Sequence, residues 1–149
     1  MKKILFICHG NICRSPMAEF VMKELVKKAG VERLFEIASA AVSTEEIGNS
    51  VYPPARRKMA EHGINCAGKR ARQVTKADYS YYDHLICMDR SNLRWLDRII
   101  GSDPEGKVSL LLDHAGIHRD VADPWYTGDF DATWDDVMTG CTALLEQLK

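Results

Sequence analysis

The sequence predicts an α/β fold in which a parallel sheet is covered on both faces by helices. Short apolar runs alternate with segments of helical periodicity along the chain, the pattern of right-handed crossover connections. The first run, Ile4-Leu5-Phe6-Ile7, is apolar at successive positions, as a strand buried on both faces requires. No internal repeat, low-complexity tract or linker divides the 149 residues, so a single domain over 1–149 is expected.

Each element has a local reason. After the first strand, Ser15 suits a helix N-cap and Pro16 the first helical position. Met17, Val21, Leu25 and Ala29 follow at four-residue spacing, and Gly30 supplies a stop. Residues 35–42 read as a second strand that ends in small residues. A polar loop over 43–54 leads to a helix from about Ala55 to His62, ended by Gly63. A short helix is expected over Thr75–Tyr79, a third strand over Asp83–Met88 and a helix over Ser91–Ile100 with Leu93, Leu96 and Ile100 on one side. Lys107–Leu112 reads as a fourth strand. A long loop, Asp113–Asp131, precedes a last helix with Trp134, Val137, Cys141, Leu144, Leu145 and Leu148 at helical spacing.

Composition narrows the partners. A net charge of −1 gives no global field to gather nucleic acid or an anionic membrane, so an anionic substrate needs a local site. No apolar stretch is long enough to span a bilayer, and the run behind Lys2 and Lys3 is too short for a signal peptide. Five cysteines lack the spacing of a zinc site or a disulfide framework, which suits a reducing cytoplasm.

The chemistry concentrates in Cys8-His9-Gly10-Asn11-Ile12-Cys13-Arg14-Ser15, between the first strand and the first helix. A loop there can turn successive N–H groups onto the three oxygens of a phosphate monoester. Gly10 and Asn11 tolerate the positive φ such a loop needs. Arg14 can present a planar fork to two oxygens. Cys8 would lie at the base, in line with phosphorus, where the N–H groups, the helix N-terminus and the Ser15 hydroxyl favour its thiolate. The loose, anionic transition state of phosphoryl transfer then requires no metal in principle. The leaving oxygen still needs a proton, and Asp120, Asp123, Asp129 and Asp131 are available in the long loop. Asp123 stands out because Pro124 restrains its backbone and Trp125 and Tyr126 follow as aromatic walls; Asp-Pro alone also marks ordinary turns.

Cys-x5-Arg-Ser near the N-terminus, Ser39-Ala40-Ala41, Ala71-Arg72-Gln73, Cys87-Met88-Asp89-x-Ser91-Asn92-Leu93 and Asp123-Pro124-Trp125-Tyr126 resemble low-molecular-weight protein tyrosine phosphatases over nearly the whole chain. The resemblance implies a three-layer α/β/α fold with a central four-stranded parallel sheet. It also implies metal- and cofactor-free hydrolysis through a cysteinyl-phosphate, with phosphotyrosine proteins as substrates and inorganic phosphate as product. Cys8 then corresponds to the nucleophile, Arg14 to the phosphate clamp, and Asp123 to the general acid and later the base. Asn11, Ser15 and Ser39 correspond to the polar shell of the loop. Cys13 corresponds to a second loop cysteine able to trap an oxidised nucleophile as a disulfide; a small filler is the alternative.

Two positions depart from the family pattern. Lys69 stands where many relatives support the loop with a histidine, and a lysine donates but cannot accept. Glu45, followed by Glu46, stands where many relatives carry an aromatic rim residue, and a carboxylate would repel acidic peptides. Either glutamate is equally at home as a solvated loop charge.

Rival readings are a protein-arginine phosphatase of the same fold, an arsenate reductase of that fold, and a non-catalytic phosphoprotein-binding module. Relatives of the first kind have threonine where Ile12 stands, and an apolar branch there favours a flat ring over a guanidinium. The second needs a cysteine relay, whereas Cys66, Cys87 and Cys141 are scattered. The third needs neither Cys8 nor Asp123. The Tyr79, Tyr81, Tyr82 cluster fits a surface patch or partial core packing, and a monomer or weak self-association is expected.

Overall fold

The computed structural model describes residues 1–149. Four strands, β1 (Lys2–Cys8), β2 (Phe35–Ala41), β3 (His84–Cys87) and β4 (Val108–Leu110), form one parallel sheet in the order β2-β1-β3-β4. The first strand made is therefore central, paired with β2 on one side and β3 on the other. Side chains along β1 alternate as strand geometry demands. Ile4, Phe6 and Cys8 enter the core on one face of the sheet, and Leu5 and Ile7 that on the other.

Helices cover both faces. The larger core joins β1 and β2 to α1 (Arg14–Lys28), α2 (Pro53–Glu61) and α6 (Phe130–Leu148) through Met17, Val21, Met59, Val137 and Leu144. The smaller one packs Leu5, Ile7, Leu85 and Cys87 against Tyr79 of α3 (Lys76–Tyr81) and Leu96 and Ile100 of α4 (Arg90–Ile100). Thr75 and Asp89 cap α3 and α4, each with a reciprocal capping box. The three-layer α/β/α arrangement with four parallel strands is as expected from the sequence. Within the tyrosine cluster, Tyr79 and Tyr82 are core and only Tyr81 is well exposed.

Several expected boundaries are corrected. Ser15 is not the cap of α1: the helix begins at Arg14 with Cys13 at the N-cap position and no side-chain cap. The Ser15 hydroxyl is committed to the loop instead, and Pro16 sits in the first turn, where its missing N–H still costs no helical bond. The buried stripe of α1 follows Met17, Ala18, Val21, Met22 and Val26 rather than ending on Ala29, which is exposed. A 3-10 turn at Glu32–Leu34 precedes β2. The fourth strand is only three residues long, because the chain tightens into a 3-10 turn at Leu111–Ala115. The 113–131 stretch also holds a one-turn helix, α5 (Pro124–Thr127), started by the Asp123 side chain accepting from Trp125 N at 3.0 Å.

The chain leaves β1 toward β2 on one side and returns to β3 on the other, so the carboxyl ends of β1 and β3 flank a switch point. In open α/β sheets that crevice is where ligands bind. The 8–15 loop occupies it.

Candidate active site

Asn11 is the only non-glycine residue with positive φ, at 59°. Asparagine tolerates this left-handed conformation better than a branched residue, and here its side chain also has a position to hold. Its amide Nδ2 donates to Ser15 Oγ at 2.7 Å and to Ser39 Oγ at 2.9 Å, while Oδ1 accepts from Arg72 N at 3.3 Å. Both amide protons are thus used. Ser15 Oγ already accepts from Asn11 and lies 3.0 Å from Cys8 Sγ, so its own proton is free to point at sulfur. The Asn11 backbone N–H adds a second donor to Cys8 Sγ at 3.3 Å. Two donors thus converge on one sulfur.

The support continues outward. Ser39 Oγ donates to Glu19 Oε1 at 2.6 Å, and Glu19, 4% exposed, faces Lys23 at 2.6 Å and Lys69 at 3.3 Å. Lys69 Nζ also donates to the Ser39 carbonyl at 2.9 Å. Burial pulls the Lys69 ammonium below its ordinary pKa, against the opposing pull of Glu19. A lysine therefore reaches the loop as a donor only, through the Ser39 carbonyl and the Glu19 carboxylate. Sequence reasoning placed Ser39 and Lys69 here but missed Glu19, which reads as an ordinary helix-surface residue.

Arg14 is 2% exposed and closes the floor. Its NH1 donates to Asp89 Oδ2 at 2.7 Å and to the Val121 carbonyl at 2.8 Å. Its NH2 faces Asp123 Oδ2 at 3.3 Å. Burial alone would lower the guanidinium pKa, but Cys8, Asp123 and Asp89 beside it raise it overall. Asp89 is held in turn by α4, where it caps Asn92 N at 2.7 Å. Asp89 and the Val121 carbonyl escaped sequence reasoning because their role depends on an arginine 75 and 107 positions away.

The pocket above this floor is lined by Cys8, His9, Gly10, Ile12, Cys13 and Arg14 from the loop, by Glu45 and Glu46 from the stretch after β2, and by Asp123, Trp125 and Tyr126 from the start of α5. Every loop and rim residue named from the sequence converges here except Asn11, Ser15, Ser39 and Lys69, which lie behind the loop. Ile12 packs with Cys13, Ala71, Tyr52 and Phe130 in a small apolar cluster of its own. Tyr52 also backs Trp125, with ring centroids 4.8 Å apart. Burial above all, and then the neighbouring Cys8 and Asp123, push the Cys13 thiol well up, so Cys13 is held as the neutral thiol. Burial does the same to Cys87 and Cys141. Of the two loop cysteines that line the pocket, only Cys8 has hydrogen-bond donors aimed at sulfur. The arrangement can seat a tetrahedral dianion over Cys8, with a carboxyl group at the mouth beside the departing oxygen.

Residues 3–149 match the family described as Low molecular weight phosphotyrosine protein phosphatase. The chain is 36% identical to the low molecular weight protein-tyrosine-phosphatase YfkJ of Bacillus subtilis, covering 100% of this chain and 97% of that one. The YfkJ crystal structure superposes with a TM-score of 0.95 over 99% of this chain and 94% of that one. Identity to the low molecular weight phosphotyrosine protein phosphatase of Sus scrofa is 40%, over 99% of this chain and 96% of that relative. The crystal structure of DARP, a Drosophila arginine phosphatase, is also similar, with 28% identity and a TM-score of 0.90 over 100% of this chain and 98% of that one. Taken with the loop and the sheet that carries it, these matches show that the chain belongs to the low molecular weight phosphotyrosine protein phosphatase family and is an enzyme of that family.

Proposed function

We propose that this enzyme hydrolyses phosphotyrosine in proteins, and small aryl phosphates, through a phosphocysteine at Cys8. The observation that carries the mechanism is a buried Cys8 Sγ with donors at 3.0 and 3.3 Å, at the base of one pocket with Arg14 and Asp123. Cys8 attacks phosphorus in line and the S–P bond forms as the P–O bond to the ring breaks. The loop N–H groups and the Arg14 fork hold the three equatorial oxygens. When the phosphoryl group occupies the Arg14 guanidinium, the Asp123 carboxylate is released from that contact, takes the proton carried by the monoanionic ester and gives it to the leaving phenolate. Asp123 then takes a proton from the water that cleaves the S–P bond, which returns the Cys8 thiolate and inorganic phosphate. Glu19, Ser39 and Lys69 position the loop and take no proton. A cytoplasmic location fits five unpaired cysteines, since Cys8 must stay reduced to act.

The similarity to an arginine phosphatase supports a second reading, a phosphoarginine substrate. Ile12 favours the first, because the wall it offers is apolar and backed by Tyr52 and Phe130, suited to a flat ring and without an acceptor for guanidinium N–H groups. A direct comparison tests this: kcat/KM for a phosphotyrosine peptide should exceed that for the matched phosphoarginine peptide by about 100-fold, the scale set by leaving buried donors unpaired. The reverse order would transfer the assignment to phosphoarginine.

The acid has its own signature. Asp123→Ala should slow phenyl phosphate by about 10^2- to 10^3-fold, but p-nitrophenyl phosphate much less, because its phenolate leaves without help. A plot of log kcat against leaving-group pKa should steepen in the variant; equal slowing along the series would remove Asp123 as the acid.

A further inference from the structure

We infer that the mouth of this pocket selects phosphotyrosines flanked by lysine or arginine, and that Glu45 and Glu46 set the preference. The substrate class rests on the phosphatase reading above and narrows it.

The floor and the mouth carry opposite charge. Arg14 is the only lysine or arginine lining the pocket, is 2% exposed, and already faces Asp89 and Asp123. At the mouth the Glu45 side chain is 67% exposed and is met only by the His9 imidazole at 3.0 Å. Glu46 is met by the neutral Asn49 amide, at 2.6 Å. The backbone that carries them is tied to the Cys8 loop. Ser43 donates to the His9 carbonyl through both Oγ, at 2.9 Å, and its backbone N–H, at 3.0 Å. The Glu46 stem lies against the loop so closely that a Cβ on Gly10 would meet its Cγ at 3.3 Å.

A second, independent feature points to a cation. At the same pocket Trp125 and Tyr126 are 52% and 83% exposed. An open aromatic face in one pocket with a carboxylate is the combination that holds an alkylammonium or guanidinium group, one partner by its quadrupole and the other by charge. A phosphotyrosine with its phosphorus over Cys8 brings its own backbone to the rim, so its neighbours pass these residues. An acidic neighbour would meet Glu45, Glu46 and Asp123 together.

Each exposed charge pair of this kind is worth roughly 1.5- to 5-fold, and rim charges act chiefly on encounter and fade with salt. The test uses two phosphotyrosine peptides of one sequence, flanked on each side by lysine or by glutamate, with p-nitrophenyl phosphate as the unflanked substrate. The wild-type enzyme should favour the lysine peptide by about tenfold in kcat/KM at low ionic strength, and by much less in about 0.5 M NaCl. The Glu45→Gln/Glu46→Gln double variant should bring the ratio near one, and Glu45→Lys should invert it. Equal use of both peptides by a wild-type enzyme that turns over p-nitrophenyl phosphate would overturn the flank preference and leave the phosphatase reading standing. A ratio unchanged in the double variant would overturn the role given to the glutamates. Inactivity on all three substrates would overturn the phosphatase reading and this inference with it.

Discussion

Cys8→Ser is expected to lower p-nitrophenyl phosphate turnover by at least about 10^4-fold, the scale on which removal of a covalent nucleophile acts, while inorganic phosphate still binds. The hydroxyl is smaller than the thiol and stays protonated at neutral pH, so no anion forms for the two donors at 3.0 and 3.3 Å to stabilise. The rest of the cradle is untouched, because Asn11 holds Ser15 and Ser39 whatever stands at position 8. Phosphate titration by calorimetry together with a steady-state assay separates the two effects. Retained turnover would end the phosphocysteine mechanism; lost turnover with lost phosphate binding would point to a collapsed loop instead.

Arg14→Lys should be nearly as severe, with about a 10^3-fold loss in kcat/KM, since an arginine aimed at a transferring phosphoryl group is worth 10^3 to 10^5. The substitution keeps the charge and removes the fork. One ammonium cannot serve Asp89, the Val121 carbonyl and the phosphoryl oxygens at once, as the two ends of the guanidinium can. The loss should appear in both kcat and KM. A stopped assay with p-nitrophenyl phosphate measures it, and a loss below about tenfold would show that the backbone N–H groups carry the phosphate without the clamp.

The floor of the candidate site was legible because it is contiguous. Strand, loop and helix start follow one another from Ile4 to Pro16, and each residue type has a local reason to be there. Asp123 was legible more weakly, through the proline after it and the aromatics beyond. What escaped were contacts between distant parts of the chain. The burial of Glu19 is decided by Ser39 and Lys69, and the role of Asp89 by Arg14, neither of which a local window contains. The misplaced N-cap has the same origin, since Ser15 is an excellent capping residue whose hydroxyl is claimed by Cys8 and Asn11. Lys69 shows the converse: its chemistry as a pure donor was readable in advance, but its acceptors were not.

The Arg14 contacts with Val121 and Asp123 span 107 and 109 residues, and this makes catalytic competence a late event in the life of the chain. During synthesis the 8–15 loop emerges well before these partners, and its arginine has only Asp89 of its three partners until the segment after β4 has closed over it. Under the proposed mechanism, a nascent or partly opened molecule therefore carries the thiol without the machinery to transfer phosphate. In mild urea, fraying of the mostly exposed 122–129 segment should silence turnover before the sheet itself melts, since elements held by few buried contacts open at lower free energy than the core.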